Sequence, residues 1–319
     1  MQEQFEHRPL LTLEALRALQ TRNDSASAWR LFLHVGALLL LAVLVMRWHG
    51  QPWLALPTSV LLGVAWAGIF APFHECTHET AFATRRWNRF GTCLTGLLFG
   101  MSPAVYRTFH FEHHRHTQNP ERDPEIAADP RTAHWPPTAA VWWRAALGDG
   151  LLLLKLRLAL PFAFKREVEW PLHGAWTAHI EDRAALAREC RLLVAAWLLF
   201  LVAAVFWLPG GGWLLFALWL AHVFQTWWLM CEHTGLPQSG SILRRTRSVE
   251  SNAFARFWLW NMNYHAEHHG WPSIPWHRLP QAHAEVASHL EALAPGYIAQ
   301  HRSVLAARPL ATPSAGAKA

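Results

Sequence analysis

Four long apolar stretches, almost free of charge, decide what this chain can fold into. They run roughly Leu31–Met46, Leu54–Phe73, Leu192–Leu208 and Trp213–Met230. A helix that crosses a bilayer needs about 20 apolar residues, within a range of about 17–25. The first stretch is short, but Trp29 and Trp48 flank it as interfacial anchors do. Helices of a soluble core normally carry a polar stripe, which these stretches lack. The 20 tryptophans suit aromatic belts at two membrane interfaces. The expected fold is therefore an all-α integral membrane protein with four transmembrane helices. No segment makes a good β-strand.

The spans pair into two hairpins. Gln51 and Pro52 close the first, and Pro209, Gly210, Gly211 and Gly212 close the second. An even number of spans places both termini on one side. Of the 28 Lys and Arg residues, only Arg47 lies in a hairpin loop, and none lies between Leu192 and Met230. The positive-inside rule makes the face with the other 27 cytoplasmic. The net charge of +6 collects there. It fixes topology, and it attracts anionic headgroups, an acidic protein or a phosphate-bearing substrate. No nucleic-acid partner is expected.

The organisation follows. Residues 1–29 form a polar cytoplasmic segment with a short amphipathic piece around Leu10–Leu19, residues 30–305 form the membrane domain, and residues 306–319 form a disordered tail. Met1–Arg30 has no apolar run of the signal-peptide kind, so no cleaved leader is expected. Cys93–Val105 and Leu151–Phe164 are too short to span and should lie at the interface or between other elements. Asn119–Pro137 and Thr234–Asn252 read as loops, and Ala253–Gly270 reads as helix. Cys76, Cys93, Cys190 and Cys231 form no CxxC pair and sit near the reducing side, so no disulfide is expected.

Histidine carries the chemistry. FHECTHETAF supplies His74 and His78, FHFEHHRHT supplies His110, His113 and His114, and NYHAEHHG supplies His265, His268 and His269. On a helix, positions i, i+3 and i+4 project from one face, so each cluster presents its rings together. Cys76 falls on the opposite side of its helix from His74. All three clusters, with His233 at the inner end of the fourth span, lie on the cytoplasmic side. One transition-metal ion takes four to six ligands, so nine imidazoles suggest two ions. Imidazole suits zinc, copper, iron and nickel, and the spacing does not choose among them. Glu75, Glu79, Glu112, Glu232 and Glu267 adjoin the clusters, and Asp123 and Glu125 follow the second. Some of these should accept the outer ring N–H of a metal-bound histidine. Tyr106, His116, His134, His173 and His179 lack partners at ligand spacing. On the fourth span, His222, Gln225 and Thr226 share the face of His233, about 10 Å or more along the axis. Polar groups at that depth usually face the bundle interior or a cavity, which makes them candidates for a substrate pocket.

The order HECTH, HFEHH, HAEHH on two hairpins resembles the membrane-bound fatty acid desaturase superfamily over about residues 55–285. HHRHTQNPERDPE, EHTGLP and WNMNYHAEHHGWPSIPWHRLP carry the same likeness. The resemblance implies a cytoplasmic helical cap holding a histidine-rich dimetal site of two iron ions. It implies dioxygen as co-substrate and hydrogen removal from an unactivated C–H bond. The eight box histidines become metal ligands, and His233 the ninth. Some relatives hold an asparagine where this chain has Leu229, with Asn261 and Asn263 the nearest substitutes. The expected activity is desaturation of an acyl chain, on an acyl-lipid or acyl-thioester. No haem-binding segment, Rossmann fingerprint or ferredoxin-like cysteine set is present, so electrons must come from an external donor such as a ferredoxin. Arg244, Arg245 and Arg247 could dock it. The alternatives are a hydroxylase or ketolase of a hydrophobic substrate on the same site, and a zinc-dependent membrane hydrolase.

Overall fold

The computed structural model describes residues 6–128, 139–164, 177 and 180–307. The tail beyond residue 307, and His134, His173 and His179, lie outside the described residues. After the short helix α1 (Leu13–Leu19), the first span is α2 (Asp24–Trp48). Asn23 caps it, its side-chain oxygen accepting from Ala26 N–H at 3.0 Å. The second span runs Pro52–Thr77. It opens with proline in the first turn, where no N–H is needed. A tightened turn, Ile69 N–H to Trp66 O at 3.1 Å, divides it into α3 (Pro52–Gly68) and α4 (Phe70–Thr77).

Next come the cap helices α5 (Arg85–Phe99), α6 (Pro103–His116) and α7 (Pro124–Ala128), then α8 (Ala139–Leu147) and α9 (Asp149–Phe164). The second hairpin is α10 (Arg183–Phe206) with α11 (Gly211–His233). The chain ends with α12 (Ile242–Arg245), α13 (Ala253–Trp258), α14 (His265–Gly270), α15 (Leu279–Val286) and α16 (Tyr297–Ala306). All four spans are long and apolar enough to cross a membrane. With its four apolar helices the chain is a multi-pass membrane protein.

Packing explains the arrangement. α3 and α11 form the centre, with α2 against α3 and α10 against α9 and α11. Gly63 lets α3 and α11 meet: a Cβ there would lie 2.8 Å from Leu220 Cβ and 3.1 Å from Ala217 O. Gly211 closes the second hairpin, where a Cβ would fall 1.5 Å from Ala204 O. α2 and α10 expose leucine and phenylalanine outward, as lipid-facing helices do, while His34 on α2 is fully buried. Its Nδ1 accepts from Trp260 Nε1–H at 3.1 Å, and its Nε2 lies 3.3 Å from Ala65 O. That imidazole ties the first span to α3 and to the segment before α14.

Four expectations change, one of them at Asn119–Pro137, which holds α7 besides loop. Ala253–Gly270 is not one helix: it breaks between Trp258 and His265, where Trp260 and Asn261 take left-handed backbone at φ 49° and 59°. Asparagine tolerates that conformation better than most residues, and Asn261 fixes it by donating to Trp276 O at 3.0 Å. The stretch 234–252 holds α12 besides loop. β structure is present as a two-residue parallel ladder, Ser248 with Leu293 and Val249 with Ala294. It lies just before α13, and both Ser248 and Val249 are buried.

Gly63→Leu should lower the melting temperature of the detergent-solubilised protein, by a loss of about 1–3 kcal/mol typical of overpacking. An unchanged melting curve would contradict the close α3–α11 contact.

Candidate metal centre

The three histidine clusters are brought together by helix ends. α4 carries His74, and His78 caps it. α6 starts at Ser102, whose hydroxyl accepts from Val105 N–H at 3.2 Å, with Pro103 in the first turn. It delivers His110, His113 and His114 in its last two turns. α11 ends at His233, and α14 begins at His265.

The ring nitrogens gather in two adjoining groups. One is His74, His78, His110, His114 and His268. The other is His113, His233 and His269, joined through His233 to His265 and Glu232. Within each set the potential ligand atoms lie within 4.8 Å of one another. Metal–nitrogen bonds of about 2 Å place ligand atoms up to about 4 Å apart across an ion, so the scale fits a cation. The groups touch, with the rings of His114 and His269 stacked at 4.1 Å.

The inward nitrogens cannot all pair with one another through ordinary two-centre hydrogen bonds. His110 Nε2 lies 2.9 Å from His78 Nε2 and 3.0 Å from His114 Nε2, which lies 3.2 Å from His268 Nε2. A neutral imidazole offers at Nε2 either one N–H or one lone pair. The three contacts can be met only by sharing a hydrogen or a lone pair between two partners. Both nitrogens of His74 and Nε2 of His269 are buried without a hydrogen-bond partner. Burial, then the neighbouring imidazoles, holds His78, His110, His114, His265 and His269 well below the usual histidine range. Burial and His74 do the same for His268. That direction favours the neutral imidazole, the form whose lone pair a metal can take.

The outer nitrogens set the orientation. Burial pushes the His113 imidazole down, but the charges of Asp123 and Glu125 and the bond to Asp123 outweigh it and raise it to about 9. Its Nδ1–H donates to Asp123 at 3.0 Å, leaving Nε2 inward. His233 Nδ1–H donates to Arg245 O at 3.1 Å, and His269 Nδ1 meets Thr117 Oγ1 at 3.2 Å. Glu75 Oε1 stands 3.6 Å from His74 Nδ1. Of the other acids, Glu79 faces Arg85, Glu112 faces Arg115 and His116, and Glu267 is bonded to Ser248 and His283. Tyr106 stacks on His110 at 4.9 Å. Cys76 packs toward Gly91, on the far side of α4.

The arginine group departs from expectation. Arg244 is exposed, but Arg245 and Arg247 are buried. Arg245 donates to Thr117 O at 2.7 Å, and Arg247 to Cys231 O at 2.7 Å and Thr234 O at 3.1 Å. They saturate carbonyls at the ends of α6 and α11, so the three do not form a docking patch. Asn261 and Asn263 are likewise committed to backbone, Asn263 to Val249 O at 3.0 Å.

A cavity of about 260 Å³ opens beside the second group. His113, Asp123, Thr226, Leu229 and His233 line it, with apolar walls from Leu151, Leu154 and Met230. Of the polar stripe on α11, Thr226 reaches the cavity wall. His222 instead lies 3.4 Å from Lys155 Nζ, and Gln225 is buried. Thr117, Gln118 and His283 were not singled out by the sequence. Thr117 and Gln118 directly follow a histidine cluster, which is a usable signal, whereas His283 has none.

The family model described as "Fatty acid desaturase" matches residues 51–301. A Delta(8)-fatty-acid desaturase of Helianthus annuus is 31% identical over 104 residues, covering 31% of this chain and 22% of that protein. The matched stretch is thus less than a quarter of the relative.

Asp123→Asn should weaken metal binding about 10–100-fold in a chelator competition, the usual effect of losing a carboxylate behind a ligand histidine. Glu112→Gln, altered on the far side of α6, should bind as wild type. Equal affinities for the two would contradict the orienting role of Asp123.

Proposed function

The chain belongs to the fatty acid desaturase family, and from that premise we propose that it removes two hydrogens from an acyl chain, using dioxygen and two electrons from an external donor. The observation that carries this reading is the convergence of nine imidazoles into two adjoining groups, with Nε2 of His74 and of His269 buried without a hydrogen-bond partner. His74, His78, His110, His114 and His268 would hold one ion, and His113, His233, His265 and His269 the other. Two iron ions there would supply the reduction of dioxygen and the oxidising power needed at a methylene. The balance is one dioxygen, two electrons and two protons for each double bond formed and two waters released.

The chain's own residues do the remaining work. Asp123, Arg245 O and Thr117 hold three ligand rings in register through their outer nitrogens. Leu151, Leu154, Leu229 and Met230 offer an apolar wall for an acyl chain beside His113 and His233. Such walls keep bulk water from the reacting carbon. Thr226 sits on that wall and would set how far the chain advances. His222 and Gln225 lie deeper along α11 and would border the path of the chain within the membrane.

The basic cytoplasmic-side segments support an orientation with both termini and the metal centre in the cytoplasm. An acidic donor such as a ferredoxin would approach that face, and of the three arginines considered Arg244 has its side chain exposed to meet it. Residues 30–305 would act as one membrane domain.

Mass spectrometry of lipids from cells expressing the wild type should show a product two mass units lighter than its precursor. His268→Ala should lose the product, as should wild-type cells deprived of oxygen. Gain of one oxygen instead would make the enzyme a hydroxylase, and an unchanged product without oxygen would overturn the reading. Thr226→Trp should shift product position or chain-length preference, and unchanged preference would remove the cavity from the substrate path.

A further inference from the structure

The two groups of ring nitrogens are unequal, five imidazoles against four. We infer that Glu232 is an oxygen ligand completing the second group, so that one ion is held by five nitrogens and the other by four nitrogens and a carboxylate. This rests on the dimetal reading above.

Three buried carboxylates approach the histidines, and they do so from different sides. Asp123 and Glu75 face Nδ1 of His113 and His74. Glu232 instead brings Oε2 to 3.5 Å from Nε2 of His265. That nitrogen is the inward one, because it lies 3.0 Å from His233 Nε2. The inward nitrogen of His233 is fixed in turn, its Nδ1 being held by Arg245 O. Glu232 therefore stands among the ligand atoms rather than behind them.

The end of α11 is built to hold it there. Helix geometry turns at Thr234, which takes extended backbone at φ −62° and ψ 128°. Arg247 N–H donates to Glu232 O at 2.9 Å, and its guanidinium takes the carbonyls of Cys231 and Thr234. Gln118 donates to His233 O at 2.5 Å. These bonds fix successive residues, so the side chains of Glu232 and His233 can enter one site although they are adjacent on the helix. Leu229, one turn earlier on the face of His233, offers no donor atom.

Charge gives a second, independent reason. Glu232 is 6% exposed. Among the described residues no guanidinium or ammonium pairs with its side chain; its ion-pair partner is His265. A buried carboxylate is costly without a counter-charge, and a divalent cation between His233 and His265 provides one.

The test uses the full chain in detergent, stripped of metal and titrated with Co2+ against a competing chelator. Wild type should bind two ions. Glu232→Gln should bind the first as before and the second at least about ten-fold more weakly. A variant that unfolds like the wild-type apoprotein yet binds both ions with unchanged affinity would overturn the assignment. Infrared difference spectra of the wild type need no variant. Metal loading should shift a carboxylate stretch, and its absence would also overturn the assignment. A wild type that binds fewer than two ions would sink the dimetal reading itself.

Discussion

Imidazole lone pairs brought within hydrogen-bonding distance of one another repel unless a proton or a cation lies between them. This protein assembles nine such rings, and much of its architecture answers that constraint. The turn at Ile69 divides the second span just before His74. Ser102 and Pro103 start α6 so that its last two turns carry three rings inward. The left-handed backbone at Trp260 and Asn261 ends α13 so that α14 can begin at His265. None of these devices is strong alone. Each sets the phase of a helix whose side chains must arrive at a common point.

The same constraint explains the buried charge around the centre. Three of the rings, His113, His269 and His233, are held by their outer nitrogens, which are bonded to Asp123, Thr117 and Arg245 O. The guanidinium groups of Arg245 and Arg247 are drawn inward to satisfy carbonyls at helix ends, where water is excluded. The cost of burying them is offset by the order they impose on α6 and α11. Polar cohesion is thus concentrated in the cap, while the spans depend on apolar packing and the close approach at Gly63.

Much of this was legible in the sequence, for physical reasons. Spans are readable because a bilayer demands length and apolarity: three of the four predicted stretches lie within the long helices, and the third runs two residues past the end of its helix at Phe206. The eight box histidines could be grouped because helical spacing puts each cluster on one face, and His233 because it stands at the end of the fourth span; the structure brings the nine rings together. What the sequence hid depends on approach rather than period. A basic run such as RRTR looks like a solvated patch, yet two of its arginines face inward because carbonyls of other elements wait there. Ala253–Gly270 looks helical because nothing in its local propensities announces the turn, which is fixed by the carbonyl of Trp276, fifteen residues away. Glu232 looks like one of several flanking acids, and only the convergence of α11 and α14 distinguishes its side from that of Glu75.

The most direct measurement is the Mössbauer spectrum of the full chain loaded with iron-57, taken beside its metal content. The account predicts two iron ions per chain, magnetically coupled in the oxidised state, with oxygen taken up when a reductant and lipid are supplied. A single isolated ion, or a protein that retains zinc and consumes no oxygen under those conditions, would contradict it.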